Sequence, residues 1–209
     1  MIIKICFANK YTVQKTINEI TMNLNIQPTL ENEKAVLRPL QEQDFEALYT
    51  VASDPKIWEQ HPNKDRWKKD AFKVFFDGAM QSKGAFKILD KTNGSIIGCT
   101  RFYDFEEQEN SILIGYTFYA THCWGKGFNH SVKILMLNYI FQFVSNVYFH
   151  IGATNFRSQI AINRLGVTKI DEQEVTYFGE QPKLNYVYKL TKEAWLSNND
   201  SSKHPFTNR

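Results

Sequence analysis

A pair of glycines lies between a strand-like run and a helix-like run, and this arrangement limits the folds open to the chain. The pair is Gly125 and Gly127, with Lys126 between them. Residues 111–120, SILIGYTFYA, precede the loop and are apolar on both faces, which is typical of a strand in the middle of a sheet. From Phe128 onwards, apolar residues recur at helical spacing. The sequence therefore predicts a central strand, a tight loop and a largely buried helix.

Short apolar runs separated by turn signals predict the remaining elements. A hairpin is expected at Asn93-Gly94, a dipeptide typical of two-residue turns. This pattern predicts an α+β fold with a mixed, mostly antiparallel sheet of about seven strands, about four helices and one parallel crossover at the loop. The strands are expected at 35–40, 85–90, 95–105, 111–120, 147–153, 167–176 and 184–190, and the helices at 41–53, 68–80, 128–143 and 155–166.

The two ends of the chain differ in composition from its middle. Residues 1–30 are of mixed polarity and are interpreted as an N-terminal extension, in which Met22 is an alternative start. Residues 31–194 are expected to form one domain, because a chain of 209 residues with 43% hydrophobic side chains has enough apolar material for a core. Residues 195–209 are poor in apolar side chains and are interpreted as a C-terminal tail.

The charge of the chain favours no nucleic-acid partner. Its formal net charge is +3, whereas nucleic-acid binding usually requires a clustered basic face. The densest basic run, residues 64–69, also contains Asp65 and is followed by Asp70. It is interpreted as a solvated loop or the start of a helix rather than as a phosphate-binding patch.

Cysteine usage and hydropathy indicate a cytoplasmic location. The three cysteines, Cys6, Cys99 and Cys123, are odd in number and form no C-x-x-C pair, so no disulfide framework is expected. No apolar run approaches the roughly 18 residues needed to span a bilayer. The start of the chain, residues 1–10, lacks a long apolar region and a cleavage site, so no signal peptide is predicted.

Glycines at a helix start allow an anion to approach the unpaired first amides of that helix. The alternative is a tight turn with no ligand, and the glycine pair alone leaves both open. Gly127 is followed by Phe128-Asn129 rather than by the lysine and hydroxyl residue of an ATP-binding loop. His130 stands where a dinucleotide-binding fingerprint has its third glycine. ATP and NAD are therefore poor candidates.

Three stretches of the sequence together form a recognisable pattern. They are Leu37-Arg38-Pro39-Leu40 with Asp44, then Trp124-Gly125-Lys126-Gly127, and then Asn155-Phe156-Arg157-Ser158 with Ala161 and Leu165-Gly166. Together they resemble the GCN5-related N-acetyltransferase (GNAT) superfamily, and most closely its RimJ/RimL-type branch. The resemblance covers residues 34–191, and the order of predicted elements agrees with it. The residues after Gly127 depart from the usual form, which is an aromatic residue, then alanine or glycine, then threonine.

The resemblance implies a GNAT-like acyl-CoA N-acyltransferase fold and direct transfer of acetyl from acetyl-CoA to a primary amine. The pantetheine arm would lie between the strands at 111–120 and 147–153. The acceptor would be a small-molecule amine or a protein N-terminus, with no nucleic acid, membrane or metal involved, and a homodimer is consistent with the resemblance. The residues expected to bind the cosubstrate are Cys123, Trp124, Gly125, Lys126, Gly127, Phe128, Asn129 and Asn155.

Two hydroxyl groups are candidates to protonate the leaving thiolate. Ser158 would lie in the first turn of a helix capped by Asn155, where the family supports such a role, although a simple capping or solvent-facing hydroxyl is the alternative. Tyr177 is the second candidate. Arg157 is expected to face solvent, with a phosphate of the cosubstrate as the alternative, and a covalent role for Cys123 is disfavoured. The general base stays open among His122, His150, Asp104 and Glu174.

Other functions are weighed against this one. The chain could hold acyl-CoA as a non-catalytic regulatory module, and a weaker alternative is an association with RNA or the ribosome, which the modest charge disfavours. For an enzyme, aromatic and acidic residues near the acceptor would suit a cationic amine. The aromatic candidates, which would equally suit a core, are Trp58, Trp67, Phe102 and Tyr103.

Overall fold

The computed structural model describes residues 24–199, and the expectations for Cys6, Met22 and the remaining terminal residues lie outside this range. Within it, one sheet of eight strands is flanked by five α-helices. The strands are β1 (Leu30–Glu31), β2 (Ala35–Pro39), β3 (Ala85–Asp90), β4 (Ile96–Glu106), β5 (Ser111–Tyr119), β6 (Asn146–Gly152), β7 (Thr168–Val175) and β8 (Lys183–Thr191). The helices are α1 (Phe45–Ala52), α2 (Lys69–Ser82), α3 (Phe128–Ile140), α4 (Phe156–Asn163) and α5 (Lys192–Asn199).

The sheet has the order β1-β2-β3-β4-β5-β6-β8-β7. Every neighbouring pair is antiparallel except β5 and β6, so the predicted α+β class, with its mixed and mostly antiparallel sheet, is confirmed. The central position predicted for β5 is also confirmed. At the predicted hairpin between β3 and β4, Gly94 has φ of +71°, which a glycine adopts without strain.

Hydrophobic side chains bury both sides of the sheet. One face of α2 is apolar and buried, and it packs with α1 in one cluster. A second cluster joins α3 and α5 to the strands, with Val132 and Met136 completely buried. Burying the apolar side chains of the helices against the sheet is the main stabilising contribution that such packing makes.

The sheet and the helix set each exceed the prediction by one element, and both additions lie at the ends. The two-residue strand β1 pairs with β2, and Leu24 and Ile26 before it pack against the core. At the other end, residues 195–199, which were interpreted as the start of a tail, belong to α5. Trp195 is only 5% exposed, so the core extends beyond residue 194. Short elements such as these carry too few apolar positions to show a period.

The two central strands separate partway along their length. β5 and β6 pair only from Ser111–Leu113 to Asn146–Tyr148, and no pairing joins them further on. In the same region the register between β4 and β5 shifts between Cys99 and Arg101, and Tyr116 adopts a φ of +52°. These irregularities open a gap in the middle of the sheet beside the glycine loop.

Within residues 24–199, no helix has the length and apolar character needed to cross a bilayer.

Candidate acetyl-transfer site

A cavity of about 470 Å³ occupies the gap between β5 and β6. Its walls come from the glycine loop, the two separating strands, the first turn of α4 and the segment between α1 and α2. Residues of the glycine-loop motif and of the motif that begins at Asn155, which are far apart in sequence, therefore meet at one cavity. The predicted site residues that line it are Cys123, Trp124, Gly125, Gly127, Phe128, Asn129, Asn155, Ser158 and Tyr177.

The loop has the conformation that its glycines allow. Gly125 has φ of +73° and Gly127 has φ of +80°, both in the left-handed region that other residues rarely adopt. Gly127 caps the N-terminus of α3, whose first amides have no partners within the helix. A Cβ atom added at Gly125 would meet no atom within 4 Å. The open space beside Gly125 therefore leaves its backbone accessible to a ligand.

Three side chains support the loop, two of them from other parts of the chain. The Lys34 ammonium group donates a hydrogen bond of 2.8 Å to the carbonyl oxygen of Lys126. The indole Nε1 of Trp124 donates to the carbonyl oxygen of Tyr119 at 3.2 Å. The guanidinium of Arg157 lies 3.9 Å from the centre of the Trp124 ring. Arg157 was expected to face solvent, but it is half-buried because this aromatic face stacks with it.

Asn129 places a carboxamide in the first turn of α3. Its Oδ1 atom is buried and has no hydrogen-bond partner among the described residues. A buried polar atom without a partner is unfavourable, so a bound group that hydrogen-bonds this carboxamide would stabilise the site. The carboxamide can serve a donor or an acceptor on such a group, because its oxygen accepts hydrogen bonds and its nitrogen donates them.

The first turn of α4 supplies the predicted hydroxyl. The side chain of Asn155 caps the helix and accepts a hydrogen bond of 3.2 Å from the amide of Ser158, as predicted for an N-cap. The half-buried Ser158 lines the cavity, and its hydroxyl has no protein partner among the described residues. It is therefore free to hydrogen-bond a ligand at the positive end of the helix.

Tyr177 reaches the same cavity from the segment between β7 and β8. Its hydroxyl donates a hydrogen bond of 2.8 Å to Oδ1 of the buried Asn185. Burial raises the pKa of the Tyr177 phenol, and the neighbouring Tyr116 raises it further. Because its hydrogen is already donated within the protein, this hydroxyl is less available to a leaving group than that of Ser158.

Of the four candidate bases, His150 lines the cavity, whereas His122, Asp104 and Glu174 are exposed and do not line it. Burial lowers the pKa of His150, so its imidazole is neutral at pH 7. Its Nε2 lies 3.1 Å from Nε2 of Gln173.

The environment of Cys123 shifts the pKa of its thiol in the direction that supports a passive role. Burial raises the pKa of Cys123, which lowers the fraction of reactive thiolate. No three His, Cys, Asp or Glu side chains within residues 24–199 come together in a way that could hold a metal ion.

Five aromatic side chains of the cavity pack on one another, and we call this part of the cavity the acceptor end, because aromatic residues were predicted near the acceptor. Two of the aromatic residues named from the sequence, Trp58 and Tyr103, do line it. The other two do not: Trp67 is 38% exposed, and Phe102 is buried in the core against Phe86. The residues of the acceptor end are Trp58, Phe75, Tyr103, Tyr116 and Tyr177.

One arginine of the basic run 64–69 is not solvated, contrary to the prediction. Arg66 is 2% exposed, and its Nε donates a hydrogen bond of 2.7 Å to Oε1 of Glu180. Its Nη1 lies 3.1 Å from Nε2 of His61. Burial, and then the charge of Arg66, hold the pKa of His61 well below its usual value, so His61 is neutral. This contact could not be predicted from the sequence, because Glu180 lies 114 residues away from Arg66.

A buried lysine in α3 was also not among the site residues predicted from the sequence. Lys133 lines the cavity, and its Nζ donates hydrogen bonds of 2.7 Å to Thr117 Oγ1 and 3.2 Å to Thr100 Oγ1. Burial lowers its pKa to about 7. A lysine inside an apolar helical stripe was the available signal, since a charged side chain is seldom buried without partners.

Comparisons with known proteins agree with the motifs. A family model described as "Acetyltransferase (GNAT) domain" matches residues 34–168. A GCN5-related N-acetyltransferase from Brucella melitensis superposes with a TM-score of 0.70 at 16% identity, over 81% of this chain and 80% of that chain. A GNAT-family acetyltransferase from Bacillus anthracis has a TM-score of 0.61 at 16% identity, over 79% and 99% of the two chains.

A third structure is a spermidine N-acetyltransferase from Vibrio cholerae in complex with CoA and spermine. It superposes with a TM-score of 0.61 at 15% identity, over 79% of this chain and 99% of that chain. At such low identities the structural neighbours establish the fold alone. The match to the family model covers more than half of the sequence, and the motif residues meet at one cavity beside the glycine loop. The chain therefore belongs to the GNAT family of acetyltransferase domains.

Proposed function

We propose that this protein transfers an acetyl group from acetyl-CoA to a primary amine by direct attack, and that it belongs to the RimJ/RimL-type branch. The observation that carries the proposal is the continuous cavity from the glycine loop, through the gap between β5 and β6, to the aromatic acceptor end. The branch assignment rests on Trp124-Gly125-Lys126-Gly127 and on the Asn155–Ser158 stretch. Acetyl-CoA supplies the activated thioester.

The residues of the loop fit a pyrophosphate group. The left-handed glycines, the open space at Gly125 and the start of α3 leave backbone amides and a positive helix end exposed to an anion. The carboxamide of Asn129 offers a further hydrogen bond. Beyond Leu113 and Tyr148, the edges of β5 and β6 that face each other are not paired, so they can bind an extended arm as a strand would.

Two side chains have suitable positions for proton transfer. Ser158, at the start of α4, has a hydroxyl that no described residue binds, and it would donate a hydrogen bond to the departing sulfur atom. His150 is neutral and lines the cavity, so it can accept the proton of the attacking amine directly or through water. Tyr177 would position the acceptor, because its own hydrogen is donated to Asn185.

The first experiment is thermal unfolding with acetyl-CoA, ATP or NADH at equal, saturating concentrations. A ligand at about 100 times its dissociation constant stabilises the folded state by about 2.7 kcal/mol. For a chain of this size we expect a rise in Tm of roughly 5–10 °C with acetyl-CoA alone. An unchanged Tm with acetyl-CoA would refute the proposed cosubstrate. A shift without acetylation of any amine would favour the non-catalytic acyl-CoA-binding module.

The loop offers a matched pair of substitutions. Gly125 and Gly94 have φ of +73° and +71°, and an added Cβ meets nothing within 4 Å at either position. Gly125→Ala and Gly94→Ala therefore introduce similar backbone strain, but only the first lies beside the proposed phosphate site. We expect Gly125→Ala to weaken acetyl-CoA binding at least tenfold in calorimetric titration, and Gly94→Ala to leave it unchanged. Equal affinities of the two variants would contradict the assignment.

A further inference from the structure

The acceptor end is an aromatic box, and aromatic boxes often bind cationic amines through the faces of their rings. Here three of the five rings already lie against one guanidinium of the protein. The guanidinium of Arg66 lies 4.9 Å from the ring centre of Phe75, 5.7 Å from that of Trp58 and 5.9 Å from that of Tyr177. The rings are therefore engaged by a charge of the protein itself.

A second guanidinium supports the box from behind. Arg101 is 3% exposed and lies 3.8 Å from the ring centre of Tyr116 and 5.6 Å from that of Phe75. Its Nη1 donates a hydrogen bond of 3.0 Å to the carbonyl oxygen of Gly78, a neutral partner. No carboxylate lies within ion-pairing distance of Arg101 among the described residues, so its charge is not locally neutralised.

Among residues 24–199, the acceptor end has no free negative charge to offer an amine. Of the described residues that line the cavity, none is aspartate or glutamate. The carboxylate that approaches it, Glu180, is bound by Arg66. Asp104 affects the pKa of Tyr103 and Tyr116 from outside, but it is exposed and water screens its charge. Since His61 is neutral, the charges of Arg66, Glu180 and Arg101 sum to a positive value.

On the basis of the proposed function, we infer that the acceptor is a monoamine with an aromatic or apolar body, and that acceptors with a second positive charge are rejected. The walls match an uncharged body, because the rings bury apolar surface when it binds. A second ammonium group finds three of the rings already occupied by Arg66 and finds no free carboxylate among the described residues that line the cavity. It also comes near the positive charge of Arg66 and, behind the ring of Tyr116, that of Arg101. The same positive surroundings lower the pKa of the bound amine, which favours the neutral form that attacks the thioester.

Hexylamine and 1,6-diaminohexane test the inference, since they share a six-carbon body and differ by one charged group. Release of CoA thiol with acetyl-CoA is measured for both, together with 2-phenylethylamine and spermidine. We expect kcat/KM for hexylamine and 2-phenylethylamine to exceed that for the diamine and spermidine at least about tenfold, because like charges repel strongly in a partly buried site. An equal or reversed order overturns the inference, even where acetyl transfer itself is established.

Binding gives a second readout that does not need turnover. The same amines are titrated into the protein loaded with CoA, and their dissociation constants are compared. Tighter binding of the two monoamines supports the inference. Equal or tighter binding of the diamine, or no binding of either monoamine, overturns it. The thermal shift with acetyl-CoA is independent of this result, so failure of the cosubstrate proposal can be told apart from failure of the acceptor proposal.

A matched pair of variants locates the effect. Arg66→Met leaves the carboxylate of Glu180 without its partner at the acceptor end, whereas Arg164→Met removes an exposed cation elsewhere on the cavity. We expect Arg66→Met to shift the preference towards the diamine about tenfold, and Arg164→Met to leave the ratio between the two amines unchanged. The same shift in both variants overturns the inference. Because loss of a buried partner can unfold a protein, the comparison of amines on the natural chain is kept as a test that needs no variant.

Discussion

At the scale of single residues, the two candidate proton donors differ in what their hydroxyl groups already bind. Ser158 has no protein partner for its hydroxyl among the described residues, while Tyr177 donates its hydrogen to Asn185. A group that is hydrogen-bonded and buried is held in its neutral form and must break that bond before it can serve a ligand. The structure thus separates two residues that were candidates for the same role.

Replacing Ser158 tests its role. We expect Ser158→Ala to lower kcat for acetyl transfer by about 100-fold, within the usual range for loss of an acid–base group, with little change in KM for acetyl-CoA. Steady-state thiol release measures both constants. Ser95→Ala, at an exposed serine of the β3–β4 turn, is the control and should behave like the natural chain. An unchanged kcat in Ser158→Ala would contradict a role of this hydroxyl in proton transfer.

Tyr177→Phe should mainly lower the stability of the protein and have a smaller effect on kcat. It removes the hydrogen bond to Asn185 and leaves a buried amide oxygen without that donor, so we expect a loss of about 1–2 kcal/mol in the free energy of unfolding. The aromatic wall is retained, so kcat should fall less than tenfold. Chemical denaturation and thiol release measure the two effects. A fall in kcat as large as that of Ser158→Ala would restore Tyr177 as a proton donor.

Residues with a local signature could be predicted, and residues defined by distant contacts could not. Gly125, Gly127 and Asn155 have conformations or caps that depend on their near neighbours in the sequence. Arg66 and Lys34 stand in polar stretches, and their roles depend on partners 114 and 92 residues away. No period or motif reports such a contact, because chain folding alone brings the partners together.

At the scale of elements, α5 shows how a short helix can contribute to the core through one side chain. Trp195 is buried, and its indole Nε1 donates a hydrogen bond of 3.0 Å to Oδ1 of Asn138 on α3. It also packs against Phe141, with ring centres 6.3 Å apart. Because Trp195 is the one buried residue of α5, its sequence shows no helical apolar stripe. That is the physical reason why residues 195–199 were interpreted as a tail.

Two neighbouring substitutions on α5 measure this contribution. We expect Trp195→Ala to lower the free energy of unfolding by about 3–5 kcal/mol, as large-to-small changes at buried aromatic positions do. Leu196→Ala, at a side chain that is 58% exposed, should change it by less than about 0.5 kcal/mol. Urea denaturation provides both values. Similar small effects at the two positions would show that α5 does not stabilise the domain.

At the scale of the whole molecule, Lys133 places an ionisable group between α3 and the centre of the sheet. Its two hydrogen-bond partners, Thr100 and Thr117, are neutral. Burial lowers its pKa from an ordinary value of 10.5 to about 7, so between these values the folded chain binds fewer protons than the unfolded chain. The contribution of Lys133 to the free energy of unfolding therefore increases as pH rises from 7 to 10.5. It is lost again as pH falls over the same range, and the loss is complete once pH has fallen through 7.

Lys133→Met isolates this effect, since methionine has a similar shape and no charge. We expect the variant to be more stable than the natural chain at pH 7, and this margin to shrink by about 2–4 kcal/mol between pH 7 and pH 10. Urea denaturation of both proteins at several pH values gives the difference, in which the other titrating groups cancel. Parallel stability profiles would contradict a low pKa for Lys133.

A homodimer and a cytoplasmic location stay predictions.

The sequence by itself determined the class of the fold, the order of most elements, the glycine loop and the capped start of α4. Each of these follows from periodicity, turn chemistry or backbone conformation, which act between residues close in the chain. Only the tertiary structure decided which hydroxyl is free and where Arg66 and Lys133 are buried. It also decided what charge the acceptor end presents. These properties depend on burial and on contacts between distant segments, and both arise when β5 and β6 separate and the surrounding elements close around the gap.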